Sequence, residues 1–540
     1  MKKRIIISLF LLVVAMTGNT QEKAGFGIYT DRDVYVSGET LFAKIFTPEG
    51  NPARIVYLDL VNHYGVRVTG VSLEIKRNQA NGFIQLPDSL GSGNYLARAY
   101  LKNTSGKLKI LHEIWISNRF DGREKTNEMK RISGLEKIQE EKTGKIEFEN
   151  IETNYQTNSN IAATIRIDET LLNEIDGNLL VSVAQTEPSF DAASFIWSSD
   201  QGKEGMTEKK GIILSGTVTD RKTLEPAAGI TVYLTIPDSV PGFQYYQTRK
   251  DGRFYFLLED YFGAVQAVVQ CFGNTPVQRL KIKLDEFFAD AGTLPEFSQY
   301  PIPEEFKLNI SRNIDALTFR KIFDQDKLNL LQPEIKKQVI SPYYGNPTRT
   351  VDPQLFIDLP DFTEISRELL PGVKWRNYNN EPTLQVINNN MHNYFSESPL
   401  ILIDGIPIRD LNVIKDMGTT HIDRVEICQY ERFFGDLRFP GVVAIYTTKA
   451  DYSLLPTSDQ LIRMDLETIQ LQVASTEHAV QEPTIPDLRQ LIYWNPLTEP
   501  KNAISIKCNT SAIAGHFKLI VRGRLKNGTL IFTEKQFEVK

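Results

Sequence analysis

"PLILIDGIPIRDLNVI", residues 399–414, places four apolar residues directly before Asp404-Gly405 and a second apolar run after it. A run of this length, closed by an Asp-Gly pair, predicts a buried strand followed by a tight turn. Asp404 is expected to accept backbone N–H groups in its own turn, with Gly405 permitting the turn geometry and Pro407 stiffening the exit. The following "IRDLNVIKDM" has the spacing of a short helix. A strand such as "PGVVAIYTT" (440–448) supplies a sheet partner, so the region 383–452 reads as a small α/β unit.

The rest of the chain is patterned as strands. Between Gly25 and Phe120, segments such as "GIYTDRDVYVSGETLFAKIFT" and "ARIVYLDLVN" give about seven short strands separated by turn residues. That spacing predicts an antiparallel sandwich over 22–120. Residues 121–147 are a charged stretch, read as a linker or a solvated helix. Alternation resumes over 148–210 for a second sandwich. Four alternating strands with an Asp251-Gly252 turn fill 211–282. Residues 283–382 are rich in Pro and Asn and read as an irregular connection, with one helix within 314–331. Residues 453–540 alternate again and read as a separate closing sandwich. The fold class expected is therefore mainly β, a multidomain string of immunoglobulin-like or macroglobulin-like sandwiches with one small α/β domain.

Composition excludes several classes. The chain has 540 residues, 41% apolar and 24% charged, with a formal net charge of -6. This is an ordinary globular balance, with no basic cluster that would seat nucleic acid. Lys2, Lys3 and Arg4 precede an apolar run from Ile5 to Met16 and a polar exit to Gln21. Residues 1–21 thus read as a signal peptide, and the mature chain carries no later apolar run of membrane-spanning length. Three widely spaced cysteines, Cys271, Cys428 and Cys508, read as buried side chains in strands rather than disulfide partners.

Few constellations point to chemistry. The six histidines show no HExxH spacing and none lies near a cysteine, so no metal site is expected. "GSGNY" (91–95) lacks the strand–loop–helix setting of a phosphate cradle. Asp31 and Asp33 are candidates for a calcium site on a sandwich rim. Asp404 and Glu426 are the nearest candidates for a carboxylate pair of the glycosidase kind. Trp197, Trp375 and Trp494 would stack on a sugar if exposed, and would pack in cores otherwise. No cofactor is expected.

Resemblances sharpen this reading. "IYTDRDVYVSGETLFAK" (28–44) and "GFIQLPDSLGSGNYLARAY" (82–100) resemble the MG2 domain of macroglobulin-type envelope proteins of Bacteroidetes; a thioester motif is absent. "LSGTVTD", "AAGITVYL" and "TRKDGRFYF" (214–256) resemble the carboxypeptidase-regulatory-like domain, an accessory sandwich without catalytic residues. "PLILIDGIPIRDLNVI" with "IDRVEICQYERFFGDLRFPGVVAIYTTK" (422–449) resembles the plug of TonB-dependent receptors. The marks of that plug fall on Asp404, Gly405, Pro407, Val425, Glu426, Gly435, Gly441, Val442 and Ile445. "FFGDLRFPG" departs from the small-residue run usual there. About 90 residues follow Lys449, too few for a barrel. The resemblance implies a non-enzymatic, exported envelope protein, periplasmic or outer-membrane associated. It would be a scaffold or protein-binding component, accessory to TonB-dependent uptake or surface export, with an outer-membrane receptor among its partners. The alternatives are a carbohydrate- or peptide-binding module and an enzyme with a carboxylate site.

Overall fold

The computed structural model describes residues 25–540 apart from 103–107, 122–127, 199–205, 239, 273–276, 324–327, 329, 332–340, 379–380, 451–454 and 474–484. The signal peptide expected over 1–21 lies outside the described residues. The fold is mainly β and falls into three sandwiches and one mixed unit.

In the first sandwich, Gly27–Thr30, Thr40–Phe46 and Gln79–Gln85 form one sheet. The facing sheet runs Ser194–Ser198, Leu108–Ser117, Gly93–Tyr100, Ile55–Asn62 and Arg67–Glu74. The strand Ile55–Asn62 is buried on both faces, which is why its sequence shows no alternation. Val56, Leu58 and Leu60 enter the core of the first sandwich. Ile55 and Tyr57 face the other way, into the core of the third. On that outer face Asp59 and Arg98 form a fully buried ion pair. Arg98 also donates to the carbonyls of Ala289 (2.8 Å) and Asp290 (2.9 Å), pinning that segment to the sheet.

The second sandwich corrects the expected domain order. Residues 148–210 and 453–540 do not make two sandwiches. Leu179–Gln185 lies between Gly515–Arg524 and Leu491–Thr498, and Asn160–Ile167 lies between Ile146–Glu149 and Ala503–Asn509. One core results, holding Ile161, Val181 and Val183 with Ile506, Phe517 and Leu519. Neither half presents enough apolar surface to close a core alone. Ser194–Ser198, also expected in this sandwich, pairs instead with Leu108–Ser117 of the first.

The third sandwich packs Arg253–Leu258, Ile212–Asp220 and Leu280–Leu284 against Gly242–Gln247, Thr231–Ile236, Ala264–Phe272 and Leu461–Glu467. Its last strand arrives from beyond the mixed unit. The chain is therefore nested: the mixed unit interrupts the third sandwich, and both interrupt the second.

Two further expectations are corrected. The charged linker over 121–147 contains Glu128–Ile132, which pairs with Phe297–Pro301, and Glu141–Lys142, which joins the second sandwich. Within the region 283–382, the helix expected over 314–331 runs instead from Glu304 to Ile322. Glu304 and Glu305 at its start and Arg320 and Lys321 at its end match the helix dipole. Phe306 is buried against Trp115 and Phe190, and Arg320 donates to Glu39 at 2.6 Å, so the helix is seated on the first sandwich.

Candidate functional site

The mixed unit carries the sequence-predicted residues. Its sheet runs Arg349–Val351, Ile422–Phe434, Leu437–Thr447, Leu400–Ile403 and Ile406–Ile408. Leu400–Ile403 and Leu437–Thr447 are parallel, as the strand–turn–helix reading requires. The short helix is present over Asn412–Lys415. The helix Phe362–Glu368, capped by Asp361, and the hairpin Val373–Tyr378 with Glu381–Asn388 cover one face.

Ile403 pairs with Ile406, leaving Asp404-Gly405 as a two-residue turn. Both residues have positive φ, +47° and +83°. That is the hairpin turn whose twist matches the strands, and Asp-Gly is a sequence that adopts it. Asp404 is buried and accepts from the Thr447 backbone N–H (2.8 Å) and hydroxyl (2.7 Å). Its own N–H donates to the Ile445 carbonyl. A Cβ at Gly405 would stand 2.1 Å from Cγ of Pro241 in the third sandwich. The Pro407 carbonyl accepts from Gln270, in the same sandwich, at 3.0 Å.

Gly435 makes the second such approach. At φ +57° it sits under the Tyr245 hydroxyl, 2.2 Å from where a Cβ would lie, and Tyr245 accepts from the Asp436 N–H. Phe243 stacks on Tyr343 with centroids 4.2 Å apart, Phe434 meets Phe243 edge-on, and Arg409 lies over Phe272. Val425, Val442 and Ile445 are fully buried in the sheet. Gly441 stands opposite the bulge between Cys428 and Glu431. These residues build the unit and fasten it to the third sandwich.

Neither candidate carboxylate is free for catalysis. Glu426 accepts from Tyr344 (2.7 Å) and Arg424 (3.0 Å). Burial and the bonds to Tyr446 and Glu426 push the Tyr344 phenol up, so it remains a donor. The carboxylate pair Asp404–Glu426 is thereby corrected from a reactive pair to two structural acceptors. The calcium reading of Asp31 and Asp33 is corrected as well. Asp31 accepts from Tyr35, Arg32 and the Phe42 N–H, and Asp33 pairs with His112 at 2.9 Å. No group of three or more His, Cys, Asp or Glu ligands occurs among the described residues.

Trp197 and Trp494 are buried, and Trp375 is half-buried and meets Phe362 edge-on, so no two of them share an exposed groove. Cys271 and Cys428 are buried in strands, with burial pushing the Cys271 thiol up to about 12; Cys508 is only half-buried. No described helix is long and apolar enough to cross a membrane.

One feature of the mixed unit escaped sequence reading. Leu355, Phe356 and Ile357 are consecutive and 79%, 58% and 69% exposed. They form the tip of a loop whose ends are tied down. Asp352 accepts from the Gln354 N–H, and Gln354 donates to the Ile422 carbonyl. Leu359 is buried and bonded to Thr419 in both directions, and Asp358 accepts from the Thr419 hydroxyl. The apolar tip is thus held out in water by polar anchors, an arrangement that marks interaction surfaces. In sequence it sits among Pro and Asp residues, inside a stretch without periodicity.

No protein-family model matches the chain, and no curated protein matches it. Among solved structures it is similar to Salmonella alpha-2-macroglobulin reacted with methylamine, at 10% identity and a TM-score of 0.22, over 95% of this chain and 39% of that one. The native conformation of E. coli alpha-2-macroglobulin gives the same identity and score over 96% and 40%. A tetra-tandem repeat from the extending region of a large adhesion protein is similar at 8% identity and a TM-score of 0.12. The chain spans about two fifths of the macroglobulin chains it matches. Likeness at this level carries no argument about activity or partners.

Proposed function

We propose that the protein is a protein-binding component of a bacterial cell envelope, exported by the signal peptide read at 1–21. Its mixed unit corresponds to a receptor plug domain, and its third sandwich to a carboxypeptidase-regulatory-like domain. Together they present a docking tip to an envelope protein such as an outer-membrane receptor. The observation that carries this reading is the anchored, exposed Leu355–Phe356–Ile357 tip. The motif residues support the same view, since Asp404, Gly405, Pro407, Glu426 and Gly435 are all engaged in holding the unit together or to its neighbour.

The test is crosslinking and affinity purification from native envelopes with the full chain and with a variant carrying Leu355→Ser, Phe356→Ser and Ile357→Ser. The expected result is a defined envelope protein recovered with the natural chain and lost with the variant. Recovery of the same partner by both chains, or of none by either, would sink the proposal.

A further inference from the structure

A cleft of about 280 Å³ opens between the first and second sandwiches. Its lining includes the small side chains of Ser182, Ala184, Ala192, Ala193 and Ser194. Inside it three residues form a linear relay. Ser194 and His112 are cross-strand partners in the first sandwich, and the Ser194 Oγ lies 2.8 Å from His112 Nδ1. His112 Nε2 lies 2.9 Å from Asp33 Oδ1. The Asp33 backbone is fixed by its carbonyl, which accepts from the Trp115 N–H.

Chemistry settles the proton positions. Enclosure in the cleft pushes the Asp33 carboxyl up, but His112, Arg522 and Lys518 outweigh this and hold it below its ordinary value. An ionised carboxylate only accepts, so Nε2 carries the imidazole proton and Nδ1 presents a lone pair. The Ser194 hydroxyl then donates to Nδ1; its other acceptor, the Ile28 carbonyl, is farther away at 3.4 Å. Thr30 lines the same cleft, but its hydroxyl is buried away from solvent and has no hydrogen-bond partner. Lys137, Lys518 and Arg522 add positive charge to the wall.

We propose that this cleft is an acyl-transfer site, with Ser194 as nucleophile, for a small carboxylic ester. The Ser194 Oγ attacks the ester carbonyl while its proton passes to His112 Nδ1. Asp33 stabilises the imidazolium. The intermediate collapses with cleavage of the ester C–O bond, and the leaving alcohol takes the proton from His112. Water, deprotonated by the same imidazole, hydrolyses the acyl-serine and restores the hydroxyl. Relative to the usual serine triad the two ring nitrogens exchange partners, but the roles and their order are kept. This activity goes beyond the docking reading and does not depend on it, since the cleft is built by other units.

The test treats the full chain with a fluorophosphonate probe and maps the adduct by mass spectrometry, alongside hydrolysis of p-nitrophenyl acetate. The expected result is one adduct, on Ser194. Ser194→Ala should abolish labelling and His112→Asn should slow it about 100-fold or more. Ser194→Ala adds nothing to a lining already rich in alanine, so it reports even if the histidine variant fails to fold. Absence of an adduct on Ser194 in the folded natural chain, or equal hydrolysis by Ser194→Ala, would overturn the proposal.

Discussion

Replacing Asp404 by alanine tests whether this residue shapes a turn or performs chemistry. The side chain accepts two hydrogen bonds from Thr447, at 2.8 and 2.7 Å, in a buried setting. Bonds to a charged acceptor contribute about 1.5–3 kcal/mol each. Alanine at φ +47° adds the left-handed penalty, about 1 kcal/mol. The two contributions share one residue and do not add fully, so about 4 kcal/mol is expected for Asp404→Ala. Glycine removes the bonds without the backbone penalty, giving about 3 kcal/mol. Asparagine tolerates the left-handed conformation and keeps an acceptor for the Thr447 N–H, giving about 1–2 kcal/mol. Global unfolding of a chain with several units has no single free energy, so the readout is local. Hydrogen exchange of peptides covering 398–408 and 440–450 reports opening of this sheet directly. The order of lost protection should be alanine, then glycine, then asparagine. Natural protection in the alanine variant, or equal loss in all three, would refute the structural reading of Asp404.

Three other perturbations follow from buried groups. Burial lowers the Lys44 amine to about 7, while its Nζ donates to Gln79 and the Pro496 carbonyl at 2.7 Å. Between pH 7 and the unfolded lysine range the unfolded chain holds one more proton. Stability should therefore rise by about 1.4 kcal/mol per pH unit in that window, and Lys44→Met should flatten the rise in a series of thermal melts. Arg98→Met leaves Asp59 buried and unpaired, at a cost of about 3–5 kcal/mol; the double variant with Asp59→Leu should recover most of it in denaturant titration. Gly405→Ala combines a positive φ with a 2.1 Å approach to Pro241, so the mixed unit should part from the third sandwich; limited proteolysis that cuts both chains at the same rate would contradict this.

Local features were legible in the sequence and long-range ones were not. The Asp404-Gly405 turn, the strands beside it and the helix after it follow from apolar runs and turn chemistry within a dozen residues. Pairing partners do not. Nothing in Leu179–Gln185 announces that its neighbours on both sides lie beyond residue 490. Only the second half of the helix Glu304–Ile322 was legible, because it buries few residues, Phe306, Ala316, Leu317 and Arg320, and carries Asn and Ser along the rest. The docking tip was hidden for the opposite reason: its apolar residues follow no period because they face water. The relay of Asp33, His112 and Ser194 joins residues some eighty positions apart, which only the register of adjacent strands brings together.

The nesting has a consequence for biosynthesis. As the chain emerges from a translocation channel, the first sandwich is complete by Ser198, and of the three nested units the first able to finish is the innermost one, complete by Thr447. The third sandwich closes when Leu461–Glu467 arrives. The second, opened by Ile146–Glu149, waits until Leu530–Val539 has passed. Folding must run from the inside outward, and the two halves of the outermost shell must be kept from other partners in the meantime. A stop codon or protease cut near residue 510 would not trim an end. It would leave Leu179–Gln185 without Gly515–Arg524 and expose the middle of the molecule, so truncated chains would be marked for degradation rather than retained as shorter functional forms.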